Sequence, residues 1–220
     1  MPDPVVLFDI DGTLTDTNYL HTLAWRRAFL EHGHDVACSR IHRLIGASGS
    51  RLMEELIGRA DEGVKQSWRA RFDELVPDVR AFPGARELVA AVRAGGGRAV
   101  LATSSPGDLV AHHLEALGLS EDDVDGMTTD SDVEQAKPAP DIFLAALDKA
   151  GGEPTRTLVV GDTGWDVQAA HAAGLATVAV LTGGWSHDEL VQAGAIEVYD
   201  DVRSILDRLG TTAIGDLLGR

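Results

Sequence analysis

The feature that most constrains this chain is segment 5–13, in which a run of large apolar residues ends in two aspartates. No polar residue alternates with the apolar ones between Val5 and Phe8, and this pattern predicts a strand that is buried on both faces. Asp9 and Asp11 follow at the point where such a strand leaves its sheet, and Gly12 allows a sharp turn directly after them. Open α/β folds bind ligands at the carboxyl ends of their parallel strands. The segment therefore predicts a carboxylate-bearing site at the edge of a parallel sheet.

The rest of the chain divides into a helical block and an alternating block. Helical periodicity covers 17–33, 39–45, 50–58 and 62–75, and no strand-like run lies between 16 and 80. From residue 83 onward, helical patterns alternate with strand patterns at 98–103, 124–129, 157–160, 176–181 and 195–199. This alternation predicts a parallel sheet with helices on both faces. The tail after Gly210 fits either a short docked helix or a frayed end.

We therefore expect an α/β protein with two parts. Residues 1–15 and 81–220 form a Rossmann-like, three-layer core around the parallel sheet, and residues 16–80 form an all-helical cap domain inserted after the first strand. We use "cap" for segment 16–80 throughout.

Charge and composition narrow the range of partners and compartments. The net charge of −16 disfavours binding to nucleic acid or to anionic membranes. Cys38 is the only cysteine, which excludes an intrachain disulfide and fits a reducing compartment. No apolar run approaches the length of a membrane span, and the first four residues lack the basic region of a signal peptide. We expect a cytoplasmic protein, either a monomer or a homodimer, that binds neither nucleic acid nor membrane.

Two further segments of the alternating block carry polar residues that suit phosphate binding. The second strand ends in Thr103 and Ser104, whose hydroxyls and backbone amides can bind a phosphate oxygen. Helix capping before Pro106 explains Ser104 at least as well. Lys137 lies beside Pro138, which stiffens the backbone and fixes the direction of the side chain. A solvated surface charge is the alternative for a single lysine.

The third long strand ends in a second acidic pair. Asp162 follows this strand as Asp9 follows the first, and Asp166 lies one helical turn further on. Asp166 alone is also explained as a favourable charge in the first turn of a helix. Together with Asp11, however, four carboxylates would crowd one edge of the sheet, and they cannot all be ionised there without a compensating charge. Mg²⁺, which prefers oxygen ligands and combines a few carboxylates with substrate phosphate, is the expected cofactor.

These segments resemble the four signature motifs of the haloacid dehalogenase superfamily of phosphohydrolases. The resemblance extends to about residue 209 and includes a helical cap at the position typical of the phosphoglycolate phosphatase and β-phosphoglucomutase subgroup. Each motif is weak alone, but their order and their placement on the predicted elements make coincidence a poor explanation. The matching residues are Asp9 with Asp11, Thr103, Lys137, and Asp162 with Asp166.

The resemblance implies a Mg²⁺-dependent phosphatase that acts on a small phosphorylated metabolite, either phosphoglycolate or a sugar phosphate. Asp9 is then the nucleophile, and Asp11 protonates the leaving oxygen and later accepts a proton from water. The metal is held by Asp9, the backbone carbonyl of Asp11, and Asp162. Thr103, with Ser104, and Lys137 bind the other phosphate oxygens, and Asp166 supports the water shell of the metal or Lys137.

The cap is expected to select the substrate, because the core motifs recognise only phosphate. His21 lies where the subgroup often places a histidine, although a partly buried polar residue on a helix is an equal alternative. Segment 46–51 resembles the cap loop that faces the active site and contributes Ser48 and Arg51 as candidates. Arg51 or Arg43 is also suited to contact an anionic or hydroxylated leaving group.

Two other functions stay open at this point. A phosphomutase would pass the phosphoryl group to a sugar hydroxyl, but mutases of the subgroup carry an acidic residue at the position of Gly161 and an arginine at that of Gly49. Both differences favour the phosphatase without excluding the mutase. A non-catalytic phosphate-binding module is disfavoured because the predicted catalytic residues are all present.

Overall fold

The computed structural model describes residues 2–103 and 105–220, so the predicted phosphate-binding residue Ser104 lies outside the described residues. Its centre is a five-stranded, all-parallel sheet with the strand order β2-β1-β3-β4-β5. The strands are β1 (Val5–Phe8), β2 (Arg98–Leu101), β3 (Thr157–Gly161), β4 (Ala176–Val180) and β5 (Glu197–Tyr199).

The α-helices of the described residues fall into two groups along the chain. Between β1 and β2 they are α1 (Asn18–Glu31), α2 (Cys38–His42), α3 (Gly49–Ile57), α4 (Glu62–Asp73) and α5 (Ala85–Ala94). After β2 they are α6 (Gly107–Leu117), α7 (Asp141–Ala150), α8 (Gly164–Ala172), α9 (His187–Ala193), α10 (Val202–Asp207) and α11 (Ala213–Leu218).

The central strand β1 is buried on both faces, as its sequence predicts. Val6 and Phe8 pack into an apolar cluster with residues of α5, α6, α10 and α11. Val5 and Leu7 point the other way and pack against α7 and α8. Because successive side chains of a strand point to opposite faces, an uninterrupted apolar strand requires a helical layer on each side. The three-layer arrangement follows, and it fixes the carboxyl ends of β1, β2 and β3 side by side.

Segment 16–80 is helical and has an apolar core of its own, which includes Trp25, Phe29, Ile41 and Met53. Its two ends lie against each other. The N–H of Asp16 donates to the carbonyl of Arg80 at 2.8 Å, and that of Phe82 donates to Leu14 at 2.8 Å. This arrangement is what an insertion requires, since both connections must cross between core and cap at one place. The domain boundaries at 15/16 and 80/81 stay a prediction.

The structure corrects one expected strand and decides the form of the tail. Segment 124–129 is not a strand but makes one isolated parallel bridge, between Leu101 and Met127. The Asp125 carboxylate accepts the N–H of Ala99 at 2.9 Å, so a side chain takes a backbone donor that a ladder would use. At the other end of the chain, α11 docks on the core through the buried Ile214.

Candidate active site

Three buried carboxylates meet at the carboxyl edge of the sheet. Asp9 follows β1, Asp162 follows β3, and Asp166 lies in the first turn of α8. One oxygen from each carboxylate lies within 4.8 Å of the others. Parallel strands that are neighbours in the sheet end at the same edge, and this brings together residues that are far apart in the sequence.

Lys137 is buried beside this group and is not a solvated surface charge. Its ammonium forms an ion pair with Asp9 Oδ1 and a second one with Asp166 Oδ1 at 2.7 Å. Burial alone would lower the pKa of Lys137, but the charges of Asp166 and Asp9 outweigh it and raise the pKa. Lys137 is therefore a permanent cation that holds Asp9 in a fixed orientation.

Asp162 is oriented by two residues that the sequence analysis did not identify. Thr13 Oγ1 donates to Asp162 Oδ1 at 2.9 Å and lies 3.3 Å from Asp9 Oδ2. Asn18 Nδ2 donates to Asp162 Oδ2 at 2.7 Å from the first residue of α1. Both partners are buried, and one of them belongs to the helical segment. The first helix of the cap is thus hydrogen-bonded directly to the carboxylate cluster.

The electrostatic balance of the cluster is unfavourable without an additional cation. Burial, together with the neighbouring charge of Asp166, raises the pKa of Asp9 to about 7 even though Lys137 lowers it. Burial and the charges of Asp166 and Asp9 raise the pKa of Asp162 well above its usual range. A single lysine does not neutralise three buried carboxylates, so the group must bind protons or a further cation.

The residues present fit a hard divalent cation. Their donors are all carboxylate oxygens, which Mg²⁺ prefers to nitrogen or sulfur ligands, and the cluster has an excess of negative charge. One carboxylate oxygen of each of these residues, Asp9, Asp162 and Asp166, lies close enough to the other two for all three to bind the same ion. The carboxylate of Asp11 is not part of this group, and the predicted contribution of its backbone carbonyl stays a prediction.

Asp11 is held by hydrogen bonds from both the cap and the core. Thr17 Oγ1 donates to its Oδ1 at 2.7 Å, and the Nε2–H of His21 donates to the same oxygen at 3.1 Å. Ser105 Oγ donates to Oδ2 at 3.0 Å. The predicted cap candidate His21 is therefore in contact with the carboxylate that the sequence analysis assigns to proton transfer.

His113 completes the surroundings of Asp11 and was not identified from the sequence. It lies in α6 with only 2% of its surface exposed, and its Nε2 is 3.4 Å from Asp11 Oδ1. Its other ring nitrogen is hydrogen-bonded to Thr15 Oγ1 at 3.1 Å. Burial raises the pKa of Asp11, but His113 and His21 lower it more, so that it lies well below its usual range. The site holds Asp11 as a carboxylate before substrate binds.

Thr103 follows β2 as predicted and lies at the edge of the same site. Its hydroxyl accepts the N–H of Ser105 at 3.0 Å, and its own N–H donates to Thr128 Oγ1 at 3.0 Å. The backbone N–H groups of Thr103 and Ser105 are therefore both held by threonine hydroxyls.

A cavity of about 840 Å³ opens above these residues, between the sheet edge and the cap. Its lining includes Asp9, Asp11, Thr103 and Lys137 from the core, and His21, Ser48 and Arg51 from the cap. The structure thus brings the predicted catalytic residues and the predicted cap residues to one cavity.

The comparisons with known proteins agree with this geometry. Residues 4–174 match the family described as haloacid dehalogenase-like hydrolase. The chain belongs to this family. It is 33% identical to a phosphoglycolate phosphatase of Rhodospirillum rubrum over 97% of the chain and 94% of that protein. It is also 31% identical to a fructose-1-phosphate phosphatase of Escherichia coli over 80% of the chain and 95% of that protein.

A solved structure extends the likeness to the whole fold. The crystal structure of a hydrolase from Pseudomonas syringae superposes with a TM-score of 0.89 at 34% identity, covering 97% of this chain and all of that one. The family and these relatives identify the chain as a phosphoric monoester hydrolase, and the predicted α/β fold is confirmed. Among the described residues, no helix of this hydrolase combines the length and apolar character needed to cross a bilayer.

The remaining cap candidates of this hydrolase have local partners as well as a place in or near the cavity. Ser48 Oγ accepts the N–H of Arg51 at 3.1 Å and so caps α3. The Arg51 guanidinium pairs with Glu55 at 2.8 Å and lies 4.6 Å from the ring centre of Trp165. Arg43 does not line the cavity and instead pairs with Glu189 at 2.5 Å. Ser48 and Arg51 shape the loop that bounds the cavity, whereas Arg43 links cap and core outside it.

Proposed function

We propose that this hydrolase is a Mg²⁺-dependent phosphatase that cleaves a small phosphorylated metabolite through an aspartyl-phosphate on Asp9. One observation carries the proposal: Asp9 lies in a buried carboxylate cluster, is paired with Lys137, and opens into a cavity that it shares with Asp11. A nucleophile, a fixed cation and a group for proton transfer are thus placed around one space.

The metal would be held by Asp9 and Asp162, with the backbone carbonyl of Asp11 as a predicted ligand and Asp166 in support. When bound, Mg²⁺ supplies positive charge that offsets the carboxylates and polarises the phosphoryl group. The hydrogen bonds from Thr13 and Asn18 keep Asp162 in one orientation, so the site needs little rearrangement to bind a cation.

In the first half of the reaction, an Asp9 carboxylate oxygen attacks phosphorus and the bond to the leaving alcohol oxygen breaks. Lys137 favours the ionised form of Asp9 and keeps its carboxylate aligned. The leaving oxygen takes a proton delivered by Asp11, whose carboxylate shares a hydrogen bond with His21. The negative charge of the approaching phosphate favours protonation of Asp11, which the empty site holds as a carboxylate.

In the second half, water attacks the phosphorus of the aspartyl-phosphate. Asp11 accepts a proton from this water, the bond between phosphorus and the Asp9 oxygen breaks, and inorganic phosphate leaves. Thr103 and Lys137 bind the remaining phosphate oxygens in both halves, and Ser104 stays a predicted partner in this role. The attacking water must reach the intermediate without replacing these contacts to the phosphate oxygens. The cap limits the access of other water to the site.

Hydrolysis is favoured over phosphoryl transfer to a second sugar by the packing at Gly161. A side chain at this position would place its Cβ 2.5 Å from Cβ of Asp166, closer than real Cβ contacts. The second acidic residue that mutases of the subgroup carry there does not fit beside Asp166 as packed. The phosphomutase therefore stays the second candidate.

The test is release of inorganic phosphate from a panel of phosphorylated metabolites, with Mg²⁺ and with excess chelator. We expect hydrolysis that requires the metal. Isomerisation of a sugar monophosphate in the presence of a bisphosphate primer, without release of phosphate, would instead indicate the mutase. Binding of phosphorylated ligands with no turnover would indicate a non-catalytic module. The cytoplasmic location and the monomeric or homodimeric state stay predictions.

A further inference from the structure

The cavity wall beyond Asp11 is aromatic. His21, which hydrogen-bonds to Asp11, lies in a near-parallel group of rings with its centre 5.8 Å from that of Trp68, and Trp68 lies 5.0 Å from Trp25. All three line the cavity, and Phe72 stacks on His21 at 4.0 Å from outside the lining. His21 and Trp68, which are half-buried, thus present an aromatic surface to the cavity beside Asp11, whereas Trp25 is only 4% exposed.

The other charges of the cavity are mainly negative. Outside the catalytic residues, the acidic residues of the lining are Glu54 in α3 and two core residues, Asp130 and Glu134. The basic residues are Lys65 and Arg51, and Arg51 is already paired with Glu55. A second anionic group on the substrate would therefore meet more carboxylates than free cations.

We propose that the leaving group of the substrate has a ring with an apolar face and no second negative charge. The inference rests on the proposed function, because it concerns the same cavity. A sugar ring and a nucleobase share this chemistry, since the C–H face of the sugar and the planar face of the base both pack on aromatic side chains.

A phosphorylated two-carbon acid does not match this cavity. It would leave most of the roughly 840 Å³ unfilled, and the lining offers its carboxylate three acidic residues against two basic ones, one of which is already paired. The inference therefore separates this chain from an enzyme specialised for phosphoglycolate, the activity named for the Rhodospirillum rubrum relative.

Matched substrate pairs test the inference directly. Sorbitol 6-phosphate and 6-phosphogluconate are both open-chain and differ by a carboxylate, and glucose 6-phosphate and sorbitol 6-phosphate differ by the ring. We expect kcat/KM to fall about tenfold on addition of the carboxylate. Repulsion between the added charge and the carboxylates of a partly hydrated cavity costs on the order of 1 kcal/mol of transition-state stabilisation. Loss of the ring should lower kcat/KM about threefold to tenfold. Uridine 5′-monophosphate, compared with ribose 5-phosphate, shows whether a nucleobase adds to the preference for a sugar ring.

Two variants assign these preferences to the cavity wall. In Trp68→Leu, the ratio of kcat/KM for glucose 6-phosphate to that for sorbitol 6-phosphate should fall towards one. Trp185→Leu is the matched control, because Trp185 is also half-buried and does not line the cavity. Its ratio should equal that of the wild type.

A second pair of variants tests the effect of the negative charge. Both substitutions are at exposed residues, so the result does not depend on the folding of a core variant. Glu54→Gln should raise kcat/KM for 6-phosphogluconate, relative to that for sorbitol 6-phosphate, about threefold. Glu115→Gln is the control and should leave this ratio unchanged, because Glu115 is an exposed residue of α6 outside the cavity lining. The inference is overturned if phosphoglycolate or 6-phosphogluconate is hydrolysed as efficiently as both ring substrates. Failure to hydrolyse any member, p-nitrophenyl phosphate included, would instead overturn the proposed function.

Discussion

The two walls of the cavity are held in different ways. On the sheet side, buried residues are each fixed by more than one polar contact, as Asp9 is by Lys137 and Thr13. On the cap side, Arg51 has a partly exposed ion pair with Glu55 and a contact with an aromatic ring. Exposed pairs stabilise by at most about 1 kcal/mol, whereas a buried charge that loses its partner costs several. The sheet edge is thus suited to chemistry that needs fixed distances, and the cap to contacts that adapt to a leaving group.

This contrast predicts that substitutions at the sheet edge abolish a step, while substitutions in the cap change its efficiency. Three substitutions and one change of pH test this contrast between the sheet edge and the cap.

The largest effect is expected for Asp9→Asn. Asparagine keeps the shape of the side chain but is a poor nucleophile, so kcat should fall by about 10⁴-fold or more. Lys137 keeps its second ion pair, with Asp166, so the variant should fold. Steady-state kinetics with circular dichroism measures both quantities. A folded variant with activity near that of the wild type would contradict the assigned nucleophile.

The next effect concerns the metal and Asp162→Asn. Removal of one negative oxygen donor should raise the Mg²⁺ concentration for half-maximal activity by about 100-fold. Calorimetric titration of Mn²⁺ without substrate provides a readout that does not depend on turnover. If activation and binding curves match those of the wild type, Asp162 does not hold the metal.

The sequence predicted the convergence of Asp9 and Asp162, because buried parallel strands carry their last residues to one edge, whereas Lys137 was placed there only by the family resemblance. It did not predict Asn18 and His113, which reach the site only through the packing of α1 and α6. It also misread segment 124–129, where the Asp125 carboxylate replaces a ladder hydrogen bond with β2. Apolar periodicity reports the burial of a segment, but it does not report which side chain competes for a backbone donor.

A smaller effect is expected on the stability of the metal-free protein. The folded-state pKa of Asp9 is about 7, above the value near 3.9 of an unfolded chain, so the folded protein retains an additional proton below pH 7. Its contribution to stability is present at low pH and is lost as the pH rises through 7. In chelator, the free energy of unfolding should fall by about 1 kcal/mol between pH 6 and pH 8.

Urea unfolding at the two pH values measures this change. Asp9→Asn is the control, because the titrating carboxyl is absent and the decrease should be smaller. Mg²⁺ should also reduce the decrease, since a bound cation takes the place of the proton. A wild-type stability that rises between pH 6 and pH 8 in chelator would contradict the electrostatic account of the cluster.

The smallest effect is expected in the cap. Arg51→Ala removes a side chain that lines the cavity and contacts the Trp165 ring, and it should raise KM about threefold with little change in kcat. Arg71→Ala is the matched control, because Arg71 pairs with Glu31 and Glu74 on the surface and does not line the cavity. Equal changes in both variants would mean that Arg51 acts only on the stability of the cap.

The central claim is that Asp9 carries the phosphoryl group during turnover. Rapid acid quenching during hydrolysis of a good substrate, followed by peptide mass spectrometry, locates that group directly. We expect a phosphorylated Asp9 that forms with Mg²⁺ and is absent when chelator is present from the start. Rapid turnover with no phosphorylated peptide, or with the phosphoryl group on another residue, would contradict it.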